Sequence, residues 1–316
     1  MINAPLLLES KVHTRVWGGR KLGTQFGKTL PTDDPYGESW EVCDDSVVAS
    51  GPLAGRSLGD LLDENPRELV GPDFDPAQGF PLLVKLLDAQ KWLSIQVHPN
   101  DEQAQALEDF PRGKTEAWYI LDSDPGAELV IGLQPGASRE ELAEAIRANR
   151  LEQLTVRTPV DPGDVLHIPA GTVHAIGPGL VIYEIQQACD ITYRLYDWGR
   201  MGLDGKPRQL HIDKGLSVAN LTSLPQIQST GGLADPLVTV IRSDYFITQR
   251  VTVDGALAMT LDESQFATLT CVAGAVDVRA NDASMTLGLG QSGLIPAALN
   301  AYDLDGSGIL LISMPV

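Results

Sequence analysis

One phrase occurs twice in this chain. Gly163-Asp-Val-Leu-His-Ile-Pro-Ala170 aligns without gaps on Gly290-Gln-Ser-Gly-Leu-Ile-Pro-Ala297. A repeated unit of glycine, short apolar run and proline implies two β-domains of the same kind. The surrounding sequence agrees. From about residue 150 onward, short apolar or alternating runs (Val165 to Pro169, Leu180 to Gln186, Leu237 to Ile241, Phe246 to Val253, Ala267 to Val272, Gly308 to Ser313) are punctuated by glycine and proline. Such spacing predicts an all-β sandwich or barrel. Helices interrupt it: Ser138-Arg-Glu-Glu141 is a capping box ahead of Leu142, Ile146 and Leu151, and shorter acidic helices fit Leu58 to Leu69 and Glu102 to Asp109. With 316 residues the chain is long enough for two domains. The stretch Ser223 to Pro236, rich in serine, glycine, proline and threonine, is where they would part. The expectation is a mainly β chain of two barrels, residues 1–225 carrying helical insertions and residues 226–316 forming the second.

The two copies diverge beyond the shared phrase. The first runs on to Gly171-Thr-Val-His174, whereas the second has Asn300 nearest that position and no histidine occurs after His211. Metal chemistry is therefore expected in the first half only. Gln96 and His98 stand two apart in the extended, partly β-branched segment Leu93 to Val97 and leave the same face; Lys114 and Glu116 do the same on the next apolar run. With His174 they make two neutral imidazoles, an amide oxygen and a carboxylate, a set suited to a divalent ion such as zinc, with manganese, iron or cobalt as alternatives. A lone histidine on an apolar strand is more often a hydrogen-bonded core residue; the combination makes these ligands. His13, His167 and His211 receive no role.

Charge narrows the partners. Acidic side chains number 42 against 23 basic ones, a formal net charge of −19, which repels nucleic acid phosphates and anionic lipid heads. In so acidic a chain, Lys85, Lys91, Arg112 and Lys114 around the Gln96-His98 segment, and Arg194 beyond His174, point to an anionic small-molecule ligand. Three scattered cysteines, Cys43, Cys189 and Cys271, read as reduced thiols. Met1 to Ser10 lacks a basic leader and a cleavage site, and no segment approaches the roughly 20 apolar residues of a membrane span, so the cytoplasm is expected. No heptads or large apolar stripe announce an interface; monomer is the default and homodimer the alternative.

The phrase Gly163-x5-Pro169-x-Gly171-x2-His174 resembles the second motif of the cupin superfamily, with Gln96-x-His98 and Glu116 as a stretched first motif. More narrowly, Leu93 to Asp101, Gly113 to Tyr119, Ile168 to Ala175 and Glu184 to Trp198 resemble the type I phosphomannose isomerases in their short bacterial form. Trp17-Gly-Gly19, Tyr36-Gly-Glu-Ser-Trp-Glu41 and Gly205 to His211 extend the likeness over roughly residues 5 to 220. The resemblance implies two cupin-type, jelly-roll-like barrels, the second without a metal site. It further implies one zinc per chain on Gln96, His98, Glu116 and His174, a catalytic arginine at Arg194, and a mannose 6-phosphate to fructose 6-phosphate isomerase.

That chemistry needs a base for a carbon-bound proton, an electrophile beside it and a seat for a phosphate. Glu184, on the inward face with Gln186, is the candidate base or else an orienter of a histidine ligand. Arg194, sharing a strand face with Thr192, would hold oxyanion or phosphate charge. Lys114, its pKa lowered beside a dication, would shuttle a proton or bind phosphate. Ser94 and Lys85 would complete the phosphate cradle. Residues 99–113 form the candidate lid. The rival readings are a cupin that binds a sugar phosphate without turnover and an iron-dependent cupin oxygenase.

Overall fold

The structure, a computed structural model, describes residues 2–233, 235–262 and 265–316. Met1, Ala234, Glu263 and Ser264 lie outside the described residues, Met1 in the stretch read for a leader and Ala234 in the stretch expected to divide the chain.

Leu82–Ala89 and Leu180–Gln187 are buried at every position, because both faces of the sheet they form are covered. They are central strands of a seven-stranded sheet whose spatial order is Gln228–Ser229, Asp164–Ile168, Glu116–Ser123, Leu180–Gln187, Leu82–Ala89, Lys11–Gly19 and Tyr36–Val42. Alternate residues leave opposite faces. On one face Leu87, Ile120 and Ile182 meet Leu129, Ile131 and Ile176 of a five-stranded sheet. On the other, Val84, Leu86, Tyr183 and Ile185 pack with Phe246 and Leu311 of a nine-stranded sheet and with Leu58, Leu61 and Leu62 of the helix Leu58–Glu64. A strand that must be apolar on both faces shows a continuous apolar run rather than alternation.

The expected mainly β class holds, with one correction. The strands form three open sheets, not hydrogen-bonded barrels. What closes each layer is side-chain packing between faces, so edge strands such as Gln228–Ser229 remain. The nine-stranded sheet is built around two long strands, Ala267–Ala280 and Ala301–Pro315, paired along their length with a register shift between Cys271 and Ala273. The strand Leu6–Glu9 also belongs to this sheet, pairing with Ser292–Ile295. The repeat is visible in the backbone: Gly163 and Gly290 have φ of 91° and 79°, a conformation costly for residues with a Cβ, and each leads into a strand, Asp164–Ile168 or Ser292–Ile295.

The capping box closes as expected: Glu141 N donates to Ser138 Oγ at 3.1 Å and Ser138 N to the Glu141 carboxylate at 2.8 Å, starting the helix Arg139–Arg147. Leu58 to Leu69 is two helices, Leu58–Glu64 and Pro66–Leu69, because Pro66 can begin a helix but not continue one. The third is Asp101–Glu108.

Candidate active site

The space between the seven- and five-stranded sheets is apolar at one end and polar at the other. Along one face, Leu180 and Ile182 give way to Glu184 and Gln186; on the neighbouring strands Leu87 gives way to Lys85, and Ile120 to Trp118 and Glu116. Opposite them, His174 pairs with Gln96 and Gln96 with Arg194 across three strands of the smaller sheet. Strand register therefore brings residues from 96 to 194 to one place.

His98, Glu116 and His174 are all buried, and one ligand atom of each lies within 4.8 Å of the others. Each histidine is oriented by the main chain: His98 Nδ1 donates to Ile191 O at 2.8 Å and His174 Nδ1 to Thr172 O at 2.9 Å. Both Nε2 lone pairs thus turn toward Glu116, at 3.6 Å from Oε2 and 3.3 Å from Oε1 respectively. Ligand atoms about 2.0–2.1 Å from a tetrahedral ion stand about 3.3 Å apart, so the trio fits a shared ion. Among the described residues His98 Nε2 has no hydrogen-bond partner, and it is buried, which is costly for a polar atom that holds nothing. Burial holds the pKa of both histidines below the usual value, keeping them neutral as a ligand must be. The Gln96 amide adjoins the trio, Nε2 lying 3.3 Å from His174 Nε2 while Ser94 Oγ donates to Oε1 at 3.1 Å.

Lys114 Nζ lies 2.9 Å from Glu116 Oε2. Burial works against its charge, yet Glu116, with Glu184 and Asp190, outweighs burial and raises its pKa. Burial likewise opposes the charge on Glu116, but Lys114 and then His174 hold its pKa below the usual value. Glu184 is buried against Trp118, whose Nε1 donates to Oε2 at 3.1 Å, and Lys85 Nζ stands 3.3 Å from Oε1. Burial first, then repulsion from Glu116, raises its pKa despite Lys85. No described hydrogen bond joins Glu184 to either histidine, whose orienting acceptors are main-chain carbonyls.

Beside the trio opens a cavity of about 390 Å³, lined by Lys85, Ser94, Gln96, Lys114, Glu184, Thr192 and Arg194. All the candidate catalytic and phosphate residues meet in it. Lys91 and Arg112 do not line it, and Arg112 instead donates to the carbonyls of Gln78, Gly79 and Phe80. Nor does any residue of 99–113, most of which is the helix Asp101–Glu108. Sequence reasoning missed Arg15, Glu38, Asp190 and Arg208 in the same wall. Glu38 takes a bidentate pair of bonds from Arg15 at 2.8 Å each. Burial opposes its charge, but Lys85 and Arg15 pull its pKa down to about 2. Arg208 is held by Asp197, Nε to Oδ2 at 2.7 Å. Glu38 and Arg208 stand inside the family-like phrases Tyr36 to Glu41 and Gly205 to His211, a signal that could have found them.

The class of protein is fixed by comparison with known ones. Residues 6–138 match the family model of the phosphomannose isomerase type I catalytic domain, and residues 237–315 that of the mannose-6-phosphate isomerase cupin domain. The chain belongs to the type I phosphomannose isomerase family and is an isomerase. Among individual relatives, it is 34% identical to a probable mannose-6-phosphate isomerase of Bacillus subtilis over 98% of this chain and 99% of that protein. It is 35% identical to the mannose-6-phosphate isomerase of Streptococcus mutans over 96% and 95%. The crystal structure of a mannose 6-phosphate isomerase from Bacillus subtilis superposes with a TM-score of 0.86 at 32% identity, covering 98% of this chain and 99% of that one.

Proposed function

We propose that the chain interconverts mannose 6-phosphate and fructose 6-phosphate with one zinc ion held by Gln96, His98, Glu116 and His174. The observation that carries this reading is the buried trio, with two imidazole lone pairs turned toward one carboxylate, at the end of a cavity lined with cations. The Gln96 amide would bind through oxygen once turned end for end, which Ser94 permits because its hydroxyl can accept as well as donate. When bound, the ion supplies an electrophile that polarises the sugar oxygens.

The remaining work falls to side chains. Glu184 removes the proton from C2 of the open-chain aldose and returns it to C1, while the C2 hydroxyl proton passes to O1; the enediol lies between, and no atom or electron is gained or lost. A buried carboxylate beside another carboxylate is a stronger base than one in water, which suits this task. Because the histidines are oriented by carbonyls, Glu184 is not needed to orient them. Lys114, beside Glu116 and Glu184, offers a cation for developing oxyanion charge, and Arg194 does the same without changing state. Ser94 and Lys85 seat the phosphate.

The division into a catalytic part, residues 1–225, and a cupin part without metal, residues 226–316, belongs to the same reading. So does a cytoplasmic setting, which the free Cys43, Cys189 and Cys271 suit. No helix among the described residues is long and apolar enough to cross a membrane. The purified protein, given mannose 6-phosphate, should form fructose 6-phosphate; binding without conversion by well-folded, zinc-loaded protein would leave only a sugar-phosphate-binding cupin.

A further inference from the structure

The main chain at 113–115, which carries Lys114 and leads into the strand Glu116–Ser123, is held in part by one carboxylate. Gly113 N donates to Asp101 Oδ1 at 2.7 Å. The same oxygen accepts Gln187 Nε2 at 2.9 Å, and Gln187 Oε1 in turn accepts Thr115 N at 2.9 Å. Asp101 therefore grips the main chain directly on one side of Lys114 and through Gln187 on the other. It stands three residues after His98, and Lys114 N donates to Pro99 O at 2.9 Å, so both ligand strands converge on it. Its second oxygen, Oδ2, accepts the hydroxyl of Tyr245 at 3.1 Å. Tyr245 comes from the other half of the molecule, between the strands Leu237–Arg242 and Phe246–Asp254. Its own main chain is fixed on both sides, N donating to Ser243 Oγ at 3.2 Å and O accepting Val316 N at 3.2 Å.

We infer that Tyr245 and Asp101 are positioning residues, a latch through which the C-terminal half sets where Lys114 and Glu116 stand. The inference rests on the isomerase reading above and assigns the half without metal ligands a part in turnover. Neither residue lines the cavity or belongs to the metal trio, so the effect passes through the main chain at 113–115 and the Gln187 side chain. Burial, then Asp101, raises the tyrosine pKa to about 12.

The test compares the full-length, zinc-loaded parent with Tyr245→Phe, Asp101→Ala, Asp101→Asn and the Tyr245→Phe/Asp101→Ala pair. A small displacement of reacting groups is costly, so Tyr245→Phe should lower kcat by about tenfold with KM within about twofold. Asp101→Ala should lose more, Asp101→Asn should recover part of the loss because its oxygen can still accept Gly113 N, and the pair should be no worse than Asp101→Ala alone. Amide hydrogen exchange at 113–115 should quicken in Tyr245→Phe while that of Leu129 and Ile131 does not. An unchanged kcat at full zinc loading overturns the latch, as does a pair whose loss is the product of the single losses. A parent that exchanges normally but turns over no mannose 6-phosphate defeats the isomerase reading instead, and exchange at 113–115 then decides the latch, unchanged protection overturning it.

Discussion

Glu184 and Glu38 share one cavity wall and are pushed in opposite directions, which separates their roles. Burial and the nearby Glu116 raise Glu184, the proposed base. Glu184→Gln should lower kcat by about 10²–10⁴-fold, the usual worth of a positioned base. Zinc content should be unchanged. In the parent, kcat/KM should fall with acid through a group above the ordinary glutamate value of about 4.3; a flat profile down to that value would contradict the assignment. Glu38, drawn to about 2 by Lys85 and Arg15 against its burial, is instead a fixed anion. A carboxylate with a depressed folded pKa adds stability above its unfolded pKa, and that contribution drains away as pH falls from about 4.3 toward 2. Glu38→Gln should therefore cost on the order of 3 kcal/mol at pH 6 and roughly half of that at pH 3. Urea unfolding at the two pH values measures it.

At the scale of elements, the helix Arg139–Arg147 rests on a cap remote from the cavity. Ser138→Ala should cost about 1 kcal/mol of stability and leave kcat alone; a change in kcat would mean that the helix supports the site. This helix was legible in sequence because a capping box and its apolar spacing are local. The turn before His174 was legible for the same reason: glycine at 163 and 171 answers to positive φ. Gln96, His98, Glu116 and Glu184 were placed by alternation, which tells which face a residue takes. Alternation does not tell which strands are neighbours. Glu38 enters the wall because it pairs with Leu87, two residues from Lys85, and no pattern near residue 38 announces that partner. The helix expected at Glu102 to Asp109 was legible for the same local reason: Asn100 and Gln103 cap Asp101–Glu108, and Glu108 ties it to Lys214 and Tyr193.

Across the whole molecule, the halves are interleaved. Leu6–Glu9 completes the nine-stranded sheet and Gln228–Ser229 the seven-stranded one, and Lys28, Ser39 and Ser292 all meet the buried Glu41. Unfolding in urea followed by tryptophan emission and by far-ultraviolet dichroism should therefore give coincident transitions, since all five tryptophans lie in the first half and the dichroism reports both. Two separated transitions would show that the sheets stand independently. One zinc ion on Gln96, His98, Glu116 and His174 is the proposed source of the isomerase activity. Its most direct test is a titration of metal-stripped protein with zinc, reading bound metal and conversion of mannose 6-phosphate in the same samples, with His174→Ala alongside. Activity that returns in step with zinc and saturates at one ion per chain, and that His174→Ala never recovers, is the expected result. Full activity in the stripped protein, or in His174→Ala, would contradict it.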